Sequence, residues 1–285
     1  MSIDPKIVGQ ILQPVEYQFE PKDVILYALG IGAGEDLTEQ KFVYENDLQM
    51  FPTFGVIPPF PALFSFMDLP GVEINLAMLL HGEQYLEVKR KHLPVSGKFL
   101  SRPRILSLYD KGKGALLTLE AETENEKGEA VFYNSFGIFV RGEGGFGGVK
   151  GPDPDSNPPD RVADRVLALK TIPQQALLYR LSGDYNPIHV NHDFAAMGGF
   201  DRPIMHGLCT MGFAARAILR EFADNDPARF KAIKVRFVGH VYPGETIVSK
   251  IWRESECKVI FQTETAERGK LCLSNAAIWL HAKDV

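Results

Sequence analysis

The sequence predicts an α+β protein made of two copies of one fold that combines antiparallel strands with a helix. Three observations support this prediction: a division near the middle of the chain, segments that recur in the same order on both sides of it, and strand-like runs in the later part of each half. The length of 285 residues accommodates two domains of ordinary size.

The division is a proline-rich segment. Residues 151–160 contain four prolines and no apolar side chain that could anchor a core, which indicates an extended linker. The glycine-rich residues 142–148 just before it indicate a flexible loop rather than a phosphate-binding loop, because no lysine-containing motif follows between a strand and a helix. We therefore predict one domain over 1–150 and another over 161–285.

Four pairs of short segments recur in order in the two halves, and such a repeat indicates a duplicated fold. In chain order, Tyr27–Gly30 matches Tyr179–Ser182, His81–Gly82 matches His206–Gly207, Leu93–Lys98 matches Val241–Glu245, and Glu122–Gly128 matches Glu264–Gly269.

Strand signals are strongest late in each half. Runs rich in β-branched and aromatic residues lie at 115–121, 131–139, 246–252, 258–263 and 271–280. They predict antiparallel strands joined by the Lys127-Gly128 and Arg268-Gly269 turns. After His206, apolar residues recur at helical spacing, and this stripe would be buried if a curved sheet wrapped the helix. The stripe consists of Leu208, Met211, Ala215, Leu219 and Phe222.

Composition excludes several classes of protein. The 31 Lys and Arg against 36 Asp and Glu, a net charge of -5, provide no general basic surface for nucleic acid. Three widely spaced cysteines suggest neither a disulfide framework nor a thiolate zinc site. No apolar run reaches the roughly 18 to 20 residues of a membrane span, and neither end of the sequence resembles a targeting signal. We expect an intracellular protein without a membrane span.

The segment richest in chemical groups lies in the second half. Asp184, Asn186 and His189 place a carboxylate, a carboxamide and an imidazole within six residues, around Pro187. Pro187 fixes its own φ angle and disfavours helix at Asn186, so a constrained turn is predicted. The ring of His189 follows this turn and can approach Asp184.

Residues Ser182–His189 resemble the hydratase 2 motif of the MaoC-like family, which includes R-specific 2-enoyl-CoA hydratases and the hydratase part of peroxisomal multifunctional enzyme type 2. The resemblance covers nearly the whole chain. Further matching segments are Tyr27–Gly30, Pro52–Val56, Leu80–Leu86, Asp110–Gly112, His206–Thr210, Arg236–Phe237 and Tyr242–Gly244.

The resemblance implies two tandem hot-dog folds, each a helix wrapped by a bent antiparallel sheet, associated as a pseudo-dimer. It also implies that Asp184 and His189 form a catalytic dyad. The dyad would hold a water that adds to a trans-2-enoyl-CoA to give (3R)-3-hydroxyacyl-CoA. Such a lyase reaction needs a base and an acid but neither a metal nor a redox cofactor, and the coenzyme A thioester is the substrate.

Other residues near the motif have two possible roles. The N–H of Gly207, at the predicted helix start, can donate to the developing thioester enolate. Asn186 either orients the dyad or the thioester, or only forms the turn. The intervening side chains line the pocket or simply pack; they are Tyr185, Pro187 and Ile188. His206, beside the helix start, is typical of a structural hydrogen-bonding group.

The first half lacks the dyad. Aligning Tyr27 with Tyr179 places Gly32 and Leu37 opposite Asp184 and His189, so this copy is expected to be catalytically silent. The resemblance nevertheless implies acyl-CoA binding by residues mostly of this half: His81, Gly82 and Lys111, with Phe237 from the second half. The longer span from Tyr27 to His81 includes the proline-rich residues 58–67. We interpret these residues as an insert that opens a channel for medium or long acyl chains.

Two alternatives remain at this stage. The same fold serves acyl-CoA thioesterases, whose water attacks the thioester carbon instead, and a third possibility is a non-catalytic acyl-CoA binding protein. The dyad argues against the last, since a pure binder has no need of it. The family suggests a homodimer, located in the peroxisome of a eukaryote or otherwise in the cytoplasm.

Overall fold

The computed structural model describes residues 3–74 and 78–283, which form four α-helices and ten strands. The helices are α1 (Pro21–Gly30), α2 (Gln175–Tyr179), α3 (His192–Met197) and α4 (Gly207–Ala223). The strands of the first half are β1 (Val15–Phe19), β2 (Leu79–Val88), β3 (Gly97–Asp110), β4 (Gly114–Asn125) and β5 (Ala130–Arg141). Those of the second half are β6 (Arg165–Lys170), β7 (Phe230–Phe237), β8 (Thr246–Arg253), β9 (Lys258–Thr265) and β10 (Lys270–Leu280).

All ten strands belong to one antiparallel sheet in the order β1-β3-β4-β5-β2-β7-β10-β9-β8-β6. Read inward from either edge, the two halves have the same strand order. They meet where β2 pairs with β7. There Glu83 lies opposite Arg236, and its carboxylate forms a salt bridge with the Arg236 guanidinium at 2.6 Å. The predicted α+β fold with duplicated sheets is confirmed.

The repeated segments occupy equivalent places, with one exception. Gly128 and Gly269 turn β4 into β5 and β9 into β10, each with a positive φ angle. Tyr27 and Tyr179 lie near the ends of α1 and α2, both fully buried, and their ring centroids are 5.9 Å apart. The first helices of the two copies therefore pack against each other.

The exception is the match between His81–Gly82 and His206–Gly207, which was wrong. His206 precedes α4, whereas His81 and Gly82 lie within β2, whose counterpart is β7. With this correction, the segments between the first helix and the central strand, 31–78 and 180–229, have nearly equal lengths. The longer segment that includes residues 58–67 therefore takes the place of a helix, and residues 58–67 are not an insert.

The replacement is irregular because of its prolines. Pro52–Val56 and Phe60–Asp68 form 3-10 helices, as prolines within and between them disfavour a longer α-helix. The first of these segments packs on β2 and β5, as α4 packs on β7, β8 and β10. The strands of the first half thus cover the 3-10 helix Pro52–Val56, with the buried ring of Phe54, where those of the second half cover α4.

Helix α4 is more deeply buried than its single apolar stripe predicts. Every residue from Leu208 to Leu219 is buried, because the sheet covers one side and the end of α1 covers another. A Cβ added to Gly212 would lie 2.3 Å from the Ile31 side chain, and the thiol of Cys209 donates to the carbonyl of Gly30 at 3.3 Å. The helix ends where Asp224 adopts a left-handed conformation.

The connection between the halves lies against the strands of the second half. After β5 ends at Arg141, the N–H of Ser156 donates to Asn275 Oδ1 of β10 at 2.7 Å, and Asp155 accepts from Lys234 of β7 at 2.7 Å. Over residues 3–74 and 78–283, no helix is long and apolar enough to cross a membrane.

Candidate active site

The dyad motif follows α2 as a series of tight turns. Gly183 has a φ angle of 129°, in the region that favours glycine. The Asp184 carboxylate accepts from the N–H of Asn186 at 3.1 Å, and Asn186 Oδ1 accepts from the N–H of Ile188 at 3.1 Å. Pro187 then begins a single 3-10 turn that ends at His189. These local bonds produce the constrained turn that the sequence predicted.

Asp184 and His189 face each other across a gap. The Nδ1 of His189 lies 2.8 Å from the carbonyl oxygen of Ile204 and must carry the proton, since a carbonyl only accepts. Its Nε2 therefore presents a lone pair, 3.8 Å from Asp184 Oδ2. This separation is too long for a direct hydrogen bond but allows one water to bond both atoms at about 2.8 Å.

His206 contacts both residues of the dyad. Its ring stacks on that of His189 with centroids 3.6 Å apart, and its Nε2–H donates to the backbone carbonyl of Asp184 at 3.1 Å. Its Nδ1 is buried and has no hydrogen-bond partner among the described residues. His206 makes the structural hydrogen bond expected from sequence, but its stacking on His189 was missed. Its place just before α4 was the available signal.

Gly207 opens α4 beside the dyad. Gly207 is the first residue of the helix, so its N–H has no acceptor within the helix and lies at the positive end of the helix dipole. A Cβ at this position would lie 3.0 Å from the ring of Phe237 at the end of β7. That ring meets His81 of β2 edge-on, with centroids 4.9 Å apart. The structure thus brings both halves together here.

Burial perturbs the acid-base properties of the site. It raises the pKa of Asp184, and it lowers the pKa of His189, although the Asp184 carboxylate opposes the second shift. Burial also lowers the pKa of His206 well below its usual value, with repulsion from His189 as a further cause. Imidazoles at this site are therefore held in their neutral form, in which His189 Nε2 can accept a proton.

The remaining predicted residues differ in position. Asn186 and Pro187 are exposed, and so is Tyr185, whose ring lies 4.9 Å from the guanidinium of Arg180. Ile188 is part-buried and faces Gly198, where an added Cβ would lie 3.2 Å from its side chain. Because the Oδ1 of Asn186 already caps the 3-10 turn, its turn-forming role has direct geometric support.

Gly82 and Lys111 lie within a strand and in a turn of the first half. Gly82 lies at a β-bulge between His81 and Glu83, where β2 pairs with β5. Lys111 lies in the β3–β4 turn, where its ammonium donates to the carbonyl of Lys150 and stands 5.5 Å from the ring centre of Tyr109. This turn is at the same end of the sheet as His81, but the described contacts of Lys111 include none with the dyad.

Asp184, His189 and His206 could together hold a metal ion, since each offers one ligand atom within 4.8 Å of the others. One nitrogen of each imidazole is already bonded to a backbone carbonyl, of Ile204 or of Asp184. One nitrogen per ring and the Asp184 carboxylate are therefore left as possible ligands.

The two halves match two known domains in order. Residues 17–142 match the MFE-2 hydratase 2 N-terminal domain, and residues 154–276 match the MaoC like domain. A Dictyostelium discoideum protein named probable enoyl-CoA hydratase 2 is 44% identical over 284 residues, 96% of each chain. The chain belongs to the hydratase 2 family of MaoC-like proteins. The resemblance seen in the sequence is confirmed.

Similar proteins include longer chains and chains of about the same length. Peroxisomal multifunctional enzyme type 2 of Mus musculus is 43% identical over 279 residues, which are 95% of this chain and 38% of the mouse enzyme. The chain thus spans less than half the length of this relative. A MaoC-like dehydratase from Phytophthora capsici has a similar structure, with a TM-score of 0.88, 36% identity and coverage of 98% of this chain and 99% of that one.

The buried histidines are expected to make stability depend on pH. His81, whose ring contacts those of Phe136 and Phe237, has its pKa lowered from 6.5 to about 4 by burial, and the pKa values of His189 and His206 are lowered too. As the pH falls from 6.5 to 4, the unfolded chain takes up more protons than the folded chain, so the free energy of unfolding decreases. Asp184, whose pKa is raised, has the opposite effect on the free energy of unfolding, but it is a single group.

Urea unfolding at pH 7 and pH 5 measures this effect. We expect a lower midpoint at pH 5, and a smaller difference between the two pH values in His81→Gln. Equal midpoints for the unmodified protein would contradict the expectation.

Proposed function

We propose that this chain is an R-specific 2-enoyl-CoA hydratase, which adds water to trans-2-enoyl-CoA to give (3R)-3-hydroxyacyl-CoA in fatty acid β-oxidation. The observation that carries the proposal is the 3.8 Å gap between Asp184 Oδ2 and His189 Nε2, with the opposite ring nitrogen fixed by a backbone carbonyl. The names of the relatives, enoyl-CoA hydratase 2 among them, support the same activity.

The dyad supplies both proton transfers of the reaction. A water held by Asp184 and His189 loses a proton to the pair as its oxygen forms a bond to Cβ. The electrons of the double bond move toward the thioester carbonyl, giving an enolate, and a proton from the pair then reaches Cα. Both additions occur on the face of the alkene that meets the dyad. The two groups are coupled, so the proton roles belong to the pair.

The enolate oxygen needs a donor that is already in place. The N–H of Gly207 fills this role, because it starts a long buried helix and has no helical acceptor. A donor of this kind stabilises such a transition state by about 3 to 4 kcal/mol. The absence of a side chain on Gly207 lets the thioester approach the backbone beside Phe237.

The first half accommodates the acyl chain in this proposal. Apolar side chains that are partly exposed flank His81 at the start of β2: Met78 is 38% exposed and Leu80 is 36% exposed. In the irregular Phe60–Asp68 segment, Phe64 is 38% exposed. Such surfaces favour a medium or long acyl chain over a four-carbon chain.

The proposal includes the chain's partners and setting. The reaction uses neither a metal nor a redox cofactor, and the coenzyme A thioester is its substrate. The protein acts as a homodimer, and exposed apolar side chains of the second half, such as Leu177, Leu181 and Met197, support an additional contact surface. A peroxisomal location is supported by the name of the mouse relative.

A hydration assay with trans-2-enoyl-CoA substrates tests this function. We expect the enoyl thioester absorbance to disappear without release of free thiol, the product to be the (3R) isomer, and a ten-carbon substrate to be preferred over crotonyl-CoA. Release of thiol would indicate a thioesterase, and no reaction would indicate a binding protein. A strong preference for crotonyl-CoA would refute the role of the first half.

A further inference from the structure

His206 connects two parts of the site, the dyad and the start of α4. It is the last residue before the helix, and its carbonyl accepts from the N–H of Thr210 at 3.1 Å and from the Thr210 hydroxyl at 3.3 Å. Its side chain, in contrast, contacts Asp184 and His189. A single residue thus joins the acid-base pair to the helix turn that presents the N–H of Gly207.

The two contacts of the His206 side chain restrain different members of the dyad. His189 is bonded through Nδ1 to the carbonyl of Ile204, and this one bond leaves the ring free to rotate about it. The ring of His206 limits that rotation, because it is stacked on the face of His189 with 26° between the planes. Asp184 is restrained at its backbone, where its carbonyl accepts from His206 Nε2. The width of the dyad gap therefore depends on both contacts.

His206 is itself fixed in place. It is buried, and the centroid of its ring lies 4.9 Å from that of Tyr179. Tyr179 is also buried and in turn lies against the ring of Tyr27 in the first half. Contacts between rings thus run from the first half through Tyr179 and His206 to His189. A side chain that sets the position of a reacting group has to be locked by its own packing, and His206 meets this condition.

The two nitrogens of His206 indicate positioning rather than proton transfer. Its Nε2–H is bonded to the carbonyl of Asp184, and its Nδ1 is buried and bonds no atom of residues 3–74 and 78–283. Buried polar atoms normally have partners, so a histidine that served only for hydrogen bonding would use both nitrogens. His206 contributes one ring face and one N–H, a combination that neither phenylalanine nor glutamine provides.

Building on the proposed function, we propose that His206 is a positioning residue for hydration: its side chain holds Asp184 and His189 at the separation that one water spans, and fixes this pair relative to the N–H of Gly207. It acts through the dyad and not by contact with the substrate. Attack on Cβ requires the water to be aligned with the bound thioester, and a misplacement of about 1 Å can reduce the rate about 100-fold. The loss should therefore appear in kcat and not in KM.

Two variants that each retain one of the contacts test this role. His206→Phe keeps a ring for the stack but has no donor for the Asp184 carbonyl, whereas His206→Gln keeps an N–H donor but has no ring. We expect each to lower kcat for trans-2-decenoyl-CoA about tenfold or more, with KM changed less than about twofold. His192→Gln, which changes an exposed histidine at the start of α3, is the matched control and should retain nearly full activity.

A double-mutant cycle with His189→Gln separates positioning from a general loss of structure. If His206 acts through the dyad, adding either change at position 206 to His189→Gln should lower kcat by less than about twofold further, because the group that it positions is already gone. A purely structural role would lower kcat by the same factor with and without His189, and that result overturns the proposal. Near-normal kcat in both single variants overturns it too.

The same measurements distinguish failure of this role from failure of the proposed function. If the unmodified protein hydrates no enoyl thioester, the proposed function is wrong and the role of His206 is rejected with it. If the unmodified protein is active but the changes at positions 189 and 206 act independently, only the role of His206 is wrong.

Discussion

Asp184→Asn and His189→Gln are each expected to reduce hydration by about 100-fold or more while the protein remains folded. The amide of Asn cannot take a proton from water, and Gln removes the lone pair of His189 Nε2 that faces the gap. Both groups act on the water and not on the thioester, so the loss should be in kcat with little change in KM. Steady-state kinetics with trans-2-decenoyl-CoA measures both constants.

Matched controls lie a few residues further along the chain. His192→Gln and Asp193→Asn make the same chemical changes on exposed residues at the start of α3. They should retain nearly full activity, and circular dichroism should show unchanged secondary structure in all four variants. Near-normal turnover in Asp184→Asn or His189→Gln would exclude that residue from the dyad.

The dyad could be predicted from the sequence because its geometry is local. Asp184, Pro187 and His189 lie within one turn, and the bonds that fix it join residues two apart. The groups around it come from distant segments: Ile204 accepts from His189, and Phe237 reaches Gly207 from β7. No spacing in the sequence reports such contacts, so these parts of the site required the fold.

The sheet could be predicted only where strands were joined by short turns. β4 with β5, and β9 with β10, are neighbours in sequence and in the sheet. The pairing of β2 with β7 joins the halves over a long separation, and the bulge at Gly82 interrupts the alternation of β2. A two-residue match of His81–Gly82 was too short to distinguish this strand from the start of α4.

In the first half, the loop that corresponds to the dyad motif makes buried contacts with α4. Arg216 of α4 is 1% exposed and donates from Nε to Glu39 Oε1 at 2.8 Å, while its Nη1 donates to the carbonyl of Ile31 at 2.8 Å. Glu39 is fully buried and also accepts from the N–H of Gly34 at 3.1 Å. A Cβ on Gly32 would lie 2.5 Å from this guanidinium. The silent loop thus holds α4 in place.

Glu39→Gln is expected to lower the free energy of unfolding by about 3 to 5 kcal/mol, because it leaves the buried guanidinium of Arg216 with only the exposed carboxylate of Glu35 as a counter-charge. Glu35→Gln is the matched control, since Glu35 contacts the same guanidinium at 3.5 Å but its side chain is 62% exposed. An exposed partner of this kind contributes about 0 to 1 kcal/mol. Urea unfolding at pH 7 measures both variants.

The double variant Glu39→Gln with Arg216→Met distinguishes the uncompensated charge from a loss of packing. Removing the stranded cation should restore part of the stability lost in Glu39→Gln, because an apolar side chain at position 216 needs no counter-charge. A double variant less stable than Glu39→Gln would mean that the other bonds of Arg216, such as that to Ile31, hold the loop instead. In either case, contacts with the half that lacks the dyad help to position helix α4, and with it the N–H of Gly207.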